Sequence, residues 1–268
     1  MNINHIAKKP FFDLFYRTPC MPTMLRLALT DAASFKQDGS LQGPTGLLMH
    51  SAVKKNPELV TALHHITDMK EEGNHITEML SISDLIQMGG YAAVEYCEGP
   101  SMIFRMNRDY VEDGEVAKVM ANDEGDAPHA NSHLVGRMGK LHASGHLTAQ
   151  EFIALYGGLH TLGFHGSEKS GPKSRWTMNP YIFNNDYFKE LLLGDMSKYY
   201  KHETDFRLMQ NPDYKEHIES FAQDQDLFFT VYAQAHVKTS ELGQESRLLC
   251  EFSNNEQNEE SQTPAVQH

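Results

Sequence analysis

The sequence is poor in cysteine, short of positive charge and without a long apolar run, and each shortage excludes something. Three cysteines, Cys20, Cys97 and Cys250, cannot build a dense disulfide framework, which favours a reducing intracellular compartment over secretion. No stretch approaches the roughly eighteen consecutive apolar residues of a membrane span, and the apolar segment of a secretory signal is missing. Twenty-three lysines and arginines face thirty-six acids, a formal charge of −13. Such a balance disfavours nucleic acid and anionic membrane surfaces as partners. It suits a basic protein partner or simple solubility. Strand signals are few, and no internal repeat is present.

What remains is a chain of 268 residues, 40% hydrophobic, enough for one large domain or two lobes folded as a unit. Residues 1–21 read as an irregular arm with Phe11, Phe12, Leu14, Phe15 and Tyr16 as apolar anchors. Lys8, Lys9, Arg17 and Arg26 near the start, against the single acid Asp13, are compatible with an organellar address. Pro10, Pro19 and Pro22 oppose one long amphipathic helix there. A helical domain is expected over 22–243. Residues 244–268 form an extension whose Leu248, Leu249 and Phe252 can pack back, flexible from 253 where the chain turns polar.

Within the domain, Pro22 opens a helix over Thr23–Phe35, and a second is expected over Pro57–Lys70. Ser81 or Ser83 caps a helix, SDLIQMGGYAAVEY, that is apolar around most of its circumference and so central. Residues 98–130 read as a long loop. Two helices frame the turn HASGH, Asn211-Pro212 opens another, and a last amphipathic helix covers Phe221–His236.

The stretch Phe152–Trp176 organises the rest. Thr148 and Glu151 make a capping box, and Phe152, Ile153, Leu155, Tyr156 and Leu159 form an apolar face that brings His160 to the helix's C-terminal end. Gly157-Gly158, Gly163 and Gly166 allow close approach of another group, either a buried ligand or tightly packed side chains.

The run ALYGGLHTLG, with Trp176 in WTMNPYIFNNDYF, resembles the proximal segment of the class I haem peroxidases, the ascorbate peroxidase and cytochrome c peroxidase group. CMPTMLRLALTDAASF is similar to that family's distal helix, LSISDLIQMGGYAAVEYCEGP to a central one, and DLFFTVYAQAHVKTSELG to the closing one. The resemblance covers residues 18 to 243 and implies an all-α, haem-peroxidase-like fold. It makes His160 the ligand of haem iron and places Trp176 beside it.

The resemblance also implies a buried aspartate that accepts the second ring N–H of the ligating histidine and strengthens it as a donor. Matching the family's D-P pair puts Asn211 at that position, with the acceptor oxygen kept and the charge lost; Asp205, six residues upstream, is the alternative. Leu159 stands as an extra residue beside the S-G-G-H of ascorbate peroxidases, while Gly158-Leu159-His160 matches the G-A-H ending of cytochrome c peroxidase. Either way it puts bulk where the family keeps a small residue.

On the distal side the family presents R-x-x-W-H, its histidine moving a proton between peroxide oxygens. Here Arg26 remains, but Leu29 and Thr30 replace the tryptophan and histidine. Asn56 matches an asparagine that would orient the absent imidazole, and His64 and His65 on the following helix are either replacements for it or simply exposed helix histidines. Thr18 replaces an ascorbate-binding lysine, Lys169 an arginine that contacts ascorbate, and Gly166 a propionate-binding histidine. Thr161, Thr177 and Asn179 match a family cation site in which Asn184 replaces a carboxylate.

Three functions follow from these departures. The first is a catalytically inactive peroxidase-like protein, without haem, kept as an accessory subunit of a larger assembly; class I enzymes occur in mitochondria and plastids, so a mitochondrial respiratory-chain complex is the expected setting, with plastid or cytosol as the alternatives. The second is a haem b protein or atypical peroxidase, not ascorbate-specific, with iron on His160. The third, hydroperoxide reduction through Cys20 or Cys97, lacks a CxxC motif or an evident activating base.

Overall fold

The computed structural model describes residues 3–35, 43–50, 57–111, 130–164, 174–195 and 198–249. Over these residues the chain is all-α, with eleven helices and only isolated β-bridges. Asn56, Gly166, Lys169, Cys250, Phe252 and the polar tail lie outside the described residues, as does most of the expected 98–130 loop. No helix among the described residues is long and apolar enough to cross a membrane.

Helix α5 (Ile82–Tyr96) is the centre, buried without interruption from Ser83 to Val94. Ser81 caps it, its hydroxyl accepting from Asp84 N at 3.0 Å. Helix α2 (Met21–Ala32) crosses it closely because Gly89 and Gly90 present no side chain: a Cβ on Gly90 would lie 2.5 Å from that of Ala28. α3 (Pro57–Glu72) and the short α4 (His75–Met79) flank this pair.

The N-terminal arm is helical, which corrects the expectation of an irregular segment: α1 runs Ile3–Arg17 with Pro10 inside it. An interior proline costs about 3 kcal/mol. Ala7, Phe11, Leu14 and Phe15 share one buried face, however, and each large apolar side chain so buried returns roughly 1.5–3 kcal/mol. Phe15 meets Tyr96 of α5 at 5.5 Å, and buried Lys8 pairs with Glu95, so the arm packs on its own domain.

The second half is built from α6 (Ala130–Ala143), α7 (Ala149–Thr161), α8 (Asp186–Leu193), α9 (Glu203–Gln210), α10 (Pro212–Gln223) and α11 (Gln225–Glu241). A continuous helix from Phe221 does not form, because Asp224 interrupts it and caps α11 by accepting from Leu227 N at 2.9 Å. Phe188, Phe221 and Phe228 bind α8, α10 and α11 into one aromatic cluster. The 98–111 segment is tied to α5 by a buried Arg108–Asp84 pair at 2.9 Å and to α11 by Arg108 Nε donating to Ser240 O. Met106 bridges Leu249, while Leu248 is buried, so that part of the extension packs back.

Candidate functional site

Helix α7 begins with the expected capping box: Thr148 N donates to Glu151 Oε2 at 2.8 Å, and Glu151 N donates to Thr148 Oγ1 at 3.1 Å. It ends with His160 buried, 3% exposed. The glycines before it serve tight packing. A Cβ on Gly157 would strike the ring of Phe188, and one on Gly158 the ring of Tyr232. Trp176 stands edge-on to His160 with ring centres 4.3 Å apart, and the Tyr187 ring stacks with the imidazole at 5.4 Å.

His160 Nδ1 lies 2.7 Å from the Tyr156 carbonyl, so Nδ1 carries the proton it donates and Nε2 keeps its lone pair. Burial pushes the imidazole down to about 4, against the opposing charge of Asp205 and the Tyr156 hydrogen bond. The ring is therefore neutral at pH 7, the form that can ligate a metal.

Asp205 is the carboxylate of this cluster. It is fully buried and accepts from the Tyr156 hydroxyl at 2.6 Å, the Tyr187 hydroxyl at 2.5 Å and His202 N at 2.7 Å. Burial, with the neighbouring Asp205 charge, raises both phenols, so they act as donors. Asn211 is elsewhere in role: half-buried, it caps α10 by accepting from Asp213 N at 3.0 Å. The Asn211 assignment is thereby corrected. The D-P pair marks a helix start, whereas the buried acid sits one turn into α9, where His202 and Asp205 form their own capping box. That His-x-x-Asp pattern was the available signal; nothing local marked Tyr187.

The opposite wall is α2. Arg26 is 4% exposed, and its Nη2 donates to the Leu162 and Phe164 carbonyls at 3.4 and 3.3 Å, just beyond the end of α7. A Cβ on Gly163 would come 2.7 Å from Pro22. Leu29 is buried, and Thr30 turns its hydroxyl back to the Arg26 carbonyl at 2.6 Å, the usual i−4 bond of a helical threonine. His64 is exposed and His65 half-buried on α3. Burial pushes the Cys20 thiol up to about 11 and the Cys97 thiol up to about 12, so neither is a thiolate nucleophile at neutral pH.

Thr161, Thr177, Asn179 and Asn184 do come together. Thr161 Oγ1 donates to Asn184 O at 3.0 Å, and Thr177 Oγ1 to Thr161 O and Asn179 O at 3.3 and 3.1 Å. The Asn184 amide turns to Asp186 Oδ2 at 2.8 Å, and the group satisfies itself.

The family model described as Peroxidase matches residues 7–224. Cytosolic L-ascorbate peroxidase 2 of Arabidopsis thaliana is 36% identical over 246 residues, covering 88% of this chain and 90% of that protein. L-ascorbate peroxidase 3 of the same plant is 34% identical over 240 residues, 88% of this chain and 79% of the relative. The chain belongs to the class I haem peroxidase family. A further relative, cytosolic L-ascorbate peroxidase 2 of Oryza sativa subsp. japonica, is 33% identical over 88% of this chain and 91% of its own.

In a class I haem peroxidase the cofactor would lie between α2 and the end of α7. A planar group needs about 3.5 Å on each face, so walls about 7 Å apart. Here the α2 guanidinium touches the backbone after α7 directly, and Arg26, Leu29, Leu162, His160 and Trp176 are all buried by protein atoms. Among the described residues, the side chains that haem would lie against are buried by protein, an arrangement that does not fit the group. The proximal histidine has the right tautomer, but Nδ1 is engaged by its own helix and the Asp205 oxygens by tyrosines and a backbone amide.

Proposed function

We propose that this peroxidase-family protein performs no peroxidase turnover and serves as a structural accessory subunit of a larger, mitochondrial respiratory-chain assembly. The observation that carries the reading is the contact of Arg26 with the Leu162 and Phe164 carbonyls, which ties α2 to the chain just past His160 while Leu29 and His160 are both buried. Thr30 adds to it. A threonine hydroxyl is no base at pH 7, and loss of general acid–base help costs about 10²–10⁴-fold in rate. Here that hydroxyl is bonded to its own helix.

What survives is a packed scaffold of helices, a role for which a closed interior is an advantage. The test is purification from the native source, with the visible spectrum, peroxide consumption and co-purifying chains followed together. A protein without a Soret band that migrates with a large complex is expected; an isolated chain that consumes peroxide would overturn the reading.

Retention of Arg26, His160, Trp176 and Asp205 favours a second reading, an atypical haem peroxidase reducing hydrogen peroxide with poor efficiency. The relatives named L-ascorbate peroxidase lend it weight, though Thr18 stands where the resemblance puts an ascorbate-binding lysine. Peroxide-dependent bleaching or shift of a Soret band in the native protein would select it.

A further inference from the structure

We propose that Arg26 and Tyr156 form an internal lock that has replaced the cofactor as the element joining the two walls. The inference rests on the reading that the chain works without haem and names what keeps it so.

The first half of the lock is a brace. Arg26 leaves α2 and donates to two consecutive-but-one carbonyls, Leu162 and Phe164, at the point where α7 unravels into extended chain. Backbone carbonyls at a helix C-terminus lack intrahelical donors and carry the negative end of the helix dipole, so a buried guanidinium answers both needs. Gly163, at φ 85° and against Pro22, lets the two segments meet there.

The second half removes the carboxylate from the histidine. Tyr156 sits one turn before His160 on the same face, and its hydroxyl reaches Asp205 Oδ1, which Tyr187 also uses, while His202 N takes Oδ2. His160 is left to donate to the Tyr156 carbonyl. The same residue thus holds both partners that a ligating histidine and its carboxylate would otherwise offer each other. Asp205 has become the anchor of two phenols and a helix cap.

The test is titration of haemin into the purified full chain, read as a Soret band, with circular dichroism confirming that each variant is folded. Wild type is expected to form no stoichiometric Soret band and to show no rise in melting temperature with haemin. Arg26→Ala, which removes the brace, is expected to strengthen haemin binding by about tenfold or more, and His160→Ala in that background abolishes the band. The milder Tyr156→Phe, which returns one lone pair of Asp205, adds to Arg26→Ala and does nothing alone. One haem per wild-type chain, lost on His160→Ala, would overturn the proposal, as would a folded Arg26→Ala protein that refuses haemin as fully as wild type does. A folded Arg26→Ala chain that still refuses haemin removes the lock and leaves the accessory-subunit reading standing, whereas haem on the wild-type chain counts against both.

Discussion

The two walls of the candidate site depart from the family pattern to different degrees. On α2 the chemistry-bearing side chains were replaced, leaving Leu29 and Thr30, and only Arg26 kept its identity while taking backbone carbonyls as partners. On the α7–α9 side His160, Trp176 and Asp205 are all present, and the hydrogen bonds of His160 and Asp205 run to Tyr156 and Tyr187. A buried ionisable group is expensive to leave unpartnered, so each one here is built into a hydrogen-bond network.

The contrast predicts that the proximal side carries stability and the distal positions do not. Asp205→Ala, which strands two buried phenols and uncaps α9, is expected to cost roughly 3–5 kcal/mol in urea unfolding. Should it cost no more than a surface change, the re-partnered network is not what holds this wall. Gly158→Ala forces a methyl into the Tyr232 ring and is expected to cost about 1–3 kcal/mol by the same measurement.

Acid sharpens the comparison. His160 and His236 are held by burial at about 4 and about 3, so between pH 6.5 and 4 the unfolded chain takes up protons that the folded one refuses, and stability falls as pH falls. Asp31 opposes them: burial raises it to about 7, so below pH 7 the folded chain holds a proton that the unfolded one lacks until about pH 4. Each group is worth on the order of a few kcal/mol at most across its window. Asp31→Asn should therefore steepen the loss between pH 7 and 5 in denaturant midpoints, and an unchanged slope would show that the carboxyl is not protonated in the fold.

At the small end stands Thr30→Val, expected to change stability by less than about 1 kcal/mol because only a back-bond to Arg26 O is removed. Smaller still is the catalytic gain from Leu29→Trp with Thr30→His. No peroxide turnover is expected, since the braced wall remains closed; recovery in a stopped-flow assay would show that distal losses alone silence the chain.

Much of the helical order was legible. The Thr148–Glu151 box, the Ser81 cap and the all-round apolarity of α5 are local patterns, and local patterns form local structure. Helix α1 was not, because Pro10 speaks against a helix in isolation and only burial of Phe11, Leu14 and Phe15 on α5 outweighs it. The exchange of Asn211 for Asp205 has the same origin: a D-P spelling can be matched along the chain, but which acid lies under His160 depends on how α9 packs.

By itself, then, the sequence determined the family, the helices with strong caps and the identity of Leu29 and Thr30, for these are properties of residues and their spacing. Only the tertiary structure decided that Arg26 spans to Leu162 and Phe164, that Tyr156 and Tyr187 claim Asp205, and that Leu29 and His160 are both buried. Those contacts join segments between 18 and 138 residues apart, and no local pattern encodes which distant donor a buried acceptor will find.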